Sequence, residues 1–305
     1  MHHKKQHFVP ATYLRAWCDV DSPSDYEPYV WVFPKNGGEP KRKPPEKIFW
    51  ETDFYTIKKI NGKRDLVLEH GLAQLESQFA VLRDKKLSKR KPLTLQDKSI
   101  LCTFTAAMYA RTKARRNHLQ GQWQQVLDMG NRMAEWVKTA SPEQEKQLSS
   151  AIHTPHEKES SLSMADIEYI VENTIQSSLG AEIGIIAPAL LNMQFAVLDT
   201  LATPIFLTSD NPCVWVDPDL PKENSKFGVE GISLFSPSIE ISLPLSPTQC
   251  IFFGRKLIVS NFYIPIQVAN PLTDTLNNRT WVYSNEFFVN NQRTVKFSWL
   301  TKNSA

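Results

Sequence analysis

The hydrophobic pattern of this chain changes twice, and that alternation restricts the fold more than any single motif. In the first third the apolar runs are short, aromatic and β-branched. Tyr29-Val30-Trp31-Val32-Phe33, Lys47-Ile48-Phe49-Trp50 and Phe54-Tyr55-Thr56-Ile57 read as strands, with Asn36-Gly37-Gly38 and Asn61-Gly62 as turns. The middle switches to helical spacing, with Leu68, Leu72, Leu75, Phe79 and Leu82 on one face. Strand-like runs then return: Pro204-Ile205-Phe206-Leu207, Cys213-Val214-Trp215-Val216, and Ile239-Glu240-Ile241-Ser242-Leu243 paired with Cys250-Ile251-Phe252-Phe253. A helix over 270–283 and a strand at Glu286-Phe287-Phe288-Val289 close the chain. Sheet-rich ends around a helical middle predict an α+β fold. The parts are sheet-rich 1–65, helical 66–200 and sheet-rich 201–305. The two β parts joining one sheet would make 1–305 a single domain, and 305 residues with 41% hydrophobic content can supply its core.

Local signals divide the helical middle. Glu69, Ala73, Glu76 and Ala80 form a stripe beside the first apolar face, so Glu76 borders the core. A basic connector over 85–92 precedes Thr94 and Asp97, a capping pair that opens the next helix. There Ile100, Phe104, Ala107, Met108, Arg111 and Arg115 share a face, and helix is expected to continue over 120–139. Ser141-Pro142-Glu143 restarts a helix, 149–161 is a polar loop, and 217–231 is another loop. Ser163 and Asp166 cap a helix expected to run to about Leu198 with a kink or break near Gly184 and Pro188. At the N-terminus, Pro10 suits the first position of a short helix carrying Tyr13, Leu14 and Trp17.

Composition excludes several classes. Eleven glycines are few for a glycine-rich nucleotide loop, and no G-x-S-x-G, H-E-x-x-H or G-x-x-x-x-G-K-[ST] motif occurs. Cys18, Cys102, Cys213 and Cys250 are far apart, which points to reduced thiols and to weak nucleophiles. The apolar run 183–198 is interrupted by Pro188, Asn192 and Gln194, short of the ~20 residues a membrane helix needs. No leader pattern opens the sequence, so a cytoplasmic protein without membrane contact is expected. Between Arg83 and Arg116 the net charge is +9, against −6 for the remainder. The expectation is either a polyanion-binding face, with nucleic acid as partner, or a solvated basic loop.

Four polar positions carry the chemistry. Lys4 and Lys5 beside His7 disfavour its charged form, which suits a general base; alternatively His7 bonds the nearby backbone. Arg111, on an otherwise apolar stripe, must be paired if buried, and Glu76 is its expected partner. That pair is structural glue, or else Arg111 faces a pocket and clamps an anion. Asp210, in Ser209-Asp210-Asn211-Pro212 after a short apolar strand, caps a tight turn or serves as metal ligand or acid/base.

Lys5-Gln6-His7-Phe8-Val9-Pro10 followed by Tyr13-Leu14-Arg15 resembles the opening of an uncharacterised, mainly bacterial domain-of-unknown-function family with the pattern K-x-H-x-V-P, then Y-L-x-x-F. Thr208-Ser209-Asp210-Asn211-Pro212, Pro244-Leu245-Ser246-Pro247, Asn270 and Val282-Tyr283-Ser284 are similar to its later signatures. Trp17 stands where that family has Phe, and Ala11 where Gln is common. The resemblance implies no activity, but it groups His7, Glu76, Arg111 and Asp210 as one set.

The leading expectation is a phosphodiesterase, RNA favoured over DNA, of toxin or phage-defence type. His7 acts as acid/base, Lys5, Arg111 and Arg115 bind substrate, and Glu76 orients Arg111. Asp210 either orients His7 or binds a divalent cation. The other expectation is a non-enzymatic sensor or binding module for a nucleotide or a foreign protein.

Overall fold

The computed structural model describes residues 5–19, 25–58, 62–144, 162–201, 203–220, 232–257, 262–267 and 270–294. Lys4, Asn61, the 149–161 segment and most of 217–231 lie outside them. The fold is α+β. Its strands are β1 (Lys5–His7), β2 (Val30–Pro34), β3 (Lys41–Lys43), β4 (Trp50–Thr52), β5 (Ile57–Lys58), β6 (Arg64–Asp65), β7 (Gln194–Asp199), β8 (Thr208–Ser209), β9 (Val214–Val216), β10 (Glu240–Ser246), β11 (Gln249–Gly254), β12 (Tyr263–Pro265) and β13 (Phe287–Asn290). Its α-helices are α1 (Ala11–Leu14), α2 (Val67–Lys85), α3 (Leu95–Ala110), α4 (Lys113–Thr139), α5 (Met164–Glu172), α6 (Thr174–Leu191) and α7 (Pro271–Tyr283).

The two ends of the chain share a sheet. Its order is β3-β2-β13-β8, all antiparallel, so early strands pair with late ones. Phe288 lies opposite Phe33 in the register, and their rings stack at 4.9 Å, the kind of cross-strand pair that fixes alignment. A second sheet, β12-β7-β11-β10-β9, is antiparallel except that β12 runs parallel to β7. The helices pack mainly on one another, α3 against α6 and α2, and α4 against α5. Phe79 of α2 stacks on Phe104 of α3 at 3.7 Å, and one hydrophobic cluster extends from Phe8 to Val289.

Three expectations need correction. Lys5–His7 is not a lead-in to helix but a strand, pairing with β4 so that Gln6 lies opposite Glu51 and His7 opposite Trp50. Buried Gln6 secures it, donating to Thr56 Oγ1 at 3.1 Å and accepting from the Tyr55 amide at 2.5 Å. The strand expected at 47–50 begins only at Trp50, and that at 54–57 only at Ile57.

Second, the helix through Arg111 breaks there. Arg111 leaves helical geometry, and the Thr112 hydroxyl accepts from the Arg115 amide at 3.2 Å to start α4. An N-cap of this kind satisfies one of the free amides of a new helix.

Third, the helix expected to reach Leu198 is three elements. α5 ends at Glu172 with Asn173 as its cap, α6 holds Pro188 near its last turn, and 194–199 is strand β7. A short apolar run does not distinguish buried strand from buried helix by periodicity. By length and composition Thr174–Leu191 could cross a membrane, a test that core helices also pass. Here it packs on α3.

Candidate functional site

The N-terminal segment is built into the molecule by its aromatic residues. Tyr13, fully buried, donates to the Pro244 carbonyl at 2.7 Å and shares a 2.8 Å hydrogen bond with Thr208 Oγ1. Trp17 Nε1 donates to the Phe206 carbonyl at 2.9 Å. The opening stretch is thereby joined directly to the segments around Thr208-Ser209-Asp210-Asn211-Pro212 and Pro244-Leu245-Ser246-Pro247.

Asp210 is buried and fully engaged. One carboxylate oxygen accepts from the Asn285 amide at 2.7 Å, and the other from Glu286 at 2.7 Å and Phe287 at 3.0 Å. Burial pushes its carboxyl above the ordinary aspartate range, and the three amides pull the other way. The carboxylate thus fixes the turn between α7 and β13. Asn211 adds a second tie, donating to the Tyr283 carbonyl at 2.9 Å. The bonds given to Asp210 do not include one to His7.

His7, Glu76 and Arg111 come together. Arg111 is 2% exposed, and its guanidinium is shared among protein acceptors. Nη1 donates to Glu76 Oε1 at 2.7 Å, Nε donates to the Tyr55 hydroxyl at 3.1 Å, and Nη2 donates to the His7 carbonyl. Burial works against its charge, but Tyr55 and Glu76 overcome that and raise its pKa. Tyr55, also enclosed, is pushed up to about 12 by burial and lies against the guanidinium. Arg111 therefore binds Glu76 as anticipated, and in this conformation its guanidinium is enclosed and shared among one carboxylate, one hydroxyl and one carbonyl. Because it terminates α3, it also sits where the helix dipole favours positive charge.

The His7 imidazole lies beside this node. Burial pushes its pKa below the ordinary histidine range; Glu76 opposes the drop and Arg111 adds to it. Nε2 is buried and has no hydrogen-bond partner. Burial thus favours the neutral imidazole, and Nε2 is closed off from solvent.

The other anticipated residues go elsewhere. Lys5 lies over the Trp50 ring at 4.4 Å. Arg115 pairs with Glu182 of α6, its Nε donating at 2.8 Å, and it lies over Tyr109 at 5.1 Å. Much of the basic 83–116 segment is neutralised from outside: Arg90 pairs with Asp199 at 2.9 Å, Lys113 with Glu51 at 2.8 Å, and Arg116 with the same Glu51 at 2.6 Å. The segment does not form one uninterrupted basic face. No group of three or more His, Cys, Asp or Glu able to hold a metal ion occurs among the described residues. The cysteines are free thiols, and burial pushes Cys102 and Cys213 up to about 12.

A cleft of about 130 Å³ lies between the N-terminal segment and the Asp210 turn. Phe8, Phe49, Trp50, Lys113, Asn285, Glu286 and Phe287 line it together with Asp210. Phe49 has φ +57°, a costly conformation for a bulky residue, and its carbonyl accepts the Phe8 amide at 2.8 Å. Lys113 lies 5.0 Å from the Phe8 ring. Sequence reasoning missed Phe49, Trp50, Tyr55 and Phe287 as site residues because each belonged to a run read as strand. Lys113 was visible only as one more charge in a basic block.

The family model for "Protein of unknown function (DUF4238)" matches residues 5–294. No curated protein and no solved structure matches the chain.

Proposed function

The chain belongs to the DUF4238 family of proteins of unknown function, and we propose that it is a binding module that recognises a nucleotide in the cleft beside the Asp210 turn. The observation that carries this reading is one carboxylate between two cations. Glu51 accepts Lys113 on one oxygen at 2.8 Å and Arg116 on the other at 2.6 Å. Lys113 also lines the cleft. A phosphate can draw Lys113 away while Arg116 continues to neutralise Glu51. The surrounding rings of Phe8, Phe49, Trp50 and Phe287 offer apolar faces to a base, and stacking on an aromatic ring contributes about 1–3 kcal/mol per base. The test is thermal unfolding with each of the four ribonucleoside monophosphates. A concentration-dependent rise in Tm is expected for at least one, as mass action requires of a ligand that binds only the folded state. Trp50→Ala should abolish that rise. The absence of any shift in the wild-type protein overturns the proposal.

A second reading, an RNA-cleaving enzyme of toxin or phage-defence type acting in the cytoplasm, draws on His7. A neutral imidazole beside a carboxylate and a guanidinium is the form a general base requires. The enclosed Nε2 and the occupied Arg111 donors weigh against it. Cleavage of a fluorescent RNA by the wild-type protein, lost in His7→Ala, would favour this reading over the binding module.

A further inference from the structure

The basic segment splits into a neutralised part and a free part. Arg83, Lys86, Arg90, Arg111, Lys113, Arg115 and Arg116 are each ion-paired. Among the described residues Lys85, Lys89 and Lys91 are exposed and have no ion pair; Lys98 also has none, but it is half-buried and lies over the Phe262 ring at 5.8 Å. The three exposed lysines occupy the last turn of α2 and the short connector that follows. The free charge is therefore concentrated at one end of the helix pair α2–α3, not spread along 83–116.

At that end lies a groove of about 380 Å³ between α2 and α3, lined by Ser77, Gln78, Val81, Leu82, Lys85, Lys86, Asp97 and Ile100. Its floor is apolar: Leu82 belongs to the core, Ile100 packs against it, and Val81 is 52% exposed. Val81 is thus an exposed apolar side chain in a groove with a lysine edge, on a helix that buries Leu72, Phe79 and Leu82. The one carboxylate in the lining, Asp97, is already engaged by Lys86 at 2.5 Å and by the Thr94 amide at 2.7 Å. The groove thus offers an apolar floor and an uncompensated positive edge.

We propose that this groove docks an acidic amphipathic helix of a partner protein. Charge complementarity selects the occupant's polar face, because Lys85 lines the groove and the unpaired Lys89 and Lys91 follow it in the connector after α2, all three favouring carboxylates on the partner. The floor selects its apolar face: Val81, Leu82 and Ile100 suit aliphatic anchors at helical spacing, as in helix-in-groove recognition. A nucleic acid would meet the lysines with phosphate but leave the apolar floor unfilled. This site is separate from the nucleotide cleft and stands whether or not that cleft binds its ligand.

The probe is a fluorescein-labelled synthetic peptide of about five helical turns, with leucine at i, i+3, i+4 and i+7 and glutamate at most other positions. Fluorescence anisotropy measures its binding to the full chain, beside the same peptide with lysine for glutamate and a labelled oligouridine. Saturable binding of the acidic peptide is expected, weakening as salt rises. Val81→Glu and the double variant Lys85→Glu/Lys89→Glu should each weaken it at least tenfold. All three positions are exposed, so the variants should fold, which circular dichroism checks. Equal binding of the lysine peptide, unchanged binding to both variants, binding of oligouridine alone, or no saturable binding of the acidic peptide overturns the proposal.

Discussion

Replacing Arg111 by methionine removes one guanidinium and takes a donor from three acceptors, of which the His7 carbonyl keeps the Tyr55 hydroxyl at 3.2 Å. Glu76, whose side chain is 17% exposed, loses its counterion, and the Tyr55 hydroxyl and His7 carbonyl lose a donor in an enclosed space. Breaking a buried pair by deleting one partner costs about 3–5 kcal/mol, mostly the penalty of the charge left behind. Each buried neutral acceptor left unsatisfied costs about 1–3 kcal/mol when no water reaches it. These terms overlap, so the expected loss for Arg111→Met is about 4 kcal/mol, a large share of the roughly 5–15 kcal/mol that stabilises a typical domain. The double variant Arg111→Met/Glu76→Leu removes the orphaned charge and should recover about half of that loss, since apolar replacement of a whole buried pair is often near neutral. Equilibrium urea denaturation followed by circular dichroism measures both. If Arg111→Met costs less than about 1 kcal/mol, the value of an exposed pair, or if the double variant is no more stable than the single, the node is not the buried structural element described here.

Three further outcomes follow from the same contacts. The His7 pKa is lower in the folded chain than the ordinary 6.5, so the unfolded chain binds more protons in the window below pH 6.5. Stability should be full above that value and fall as the pH drops through the window; His7→Gln should flatten this part of the profile in urea titrations between pH 5 and 7. Asp210→Ala leaves the amides of Asn285, Glu286 and Phe287 without their acceptor and should cost about 3 kcal/mol, with faster hydrogen exchange at those three amides than in the wild type. Tyr13→Phe removes the hydroxyl that joins Thr208 and the Pro244 carbonyl and should lower stability by about 1–2 kcal/mol, measured as a shift in urea midpoint at unchanged slope.

What the sequence disclosed and what it hid have physical explanations. The capped helices were legible because Thr94 with Asp97, and Ser163 with Asp166, act over three residues, and both capping boxes form. The hairpin of β10 and β11 and the strand β2 carried dense β-branched and aromatic runs. The Glu76–Arg111 pair could be anticipated because both residues bordered apolar stripes of successive helices, where a buried charge has to find a partner. Strand β1 could not: Lys5-Gln6-His7 has no strand pattern, and its pairing with β4 is imposed by a contact some forty residues away. β7 was hidden because Ala196, Val197 and Leu198 are all buried, which erases the alternation that marks a half-exposed strand. The basic segment misled in a different way. Local charge counting cannot see Asp199, Glu51 or Glu182 arriving from distant elements. The cleft itself is assembled from Phe8 after β1, Phe49 and Trp50 at the start of β4, Lys113 at the start of α4, Asp210, and the turn into β13, so no stretch of sequence contains it.

The most direct test of the nucleotide cleft is isothermal titration of the wild-type chain and of Lys113→Gln with a nucleoside monophosphate and with its nucleoside. Arg116 remains on Glu51 in the variant, so the fold should persist. The wild type should bind the monophosphate at least about tenfold more tightly than the nucleoside, a difference of about 1.4 kcal/mol, and in Lys113→Gln that preference should disappear. Equal affinities in the wild type, or a phosphate preference that survives the loss of Lys113, would contradict the assignment of the cleft as a nucleotide site.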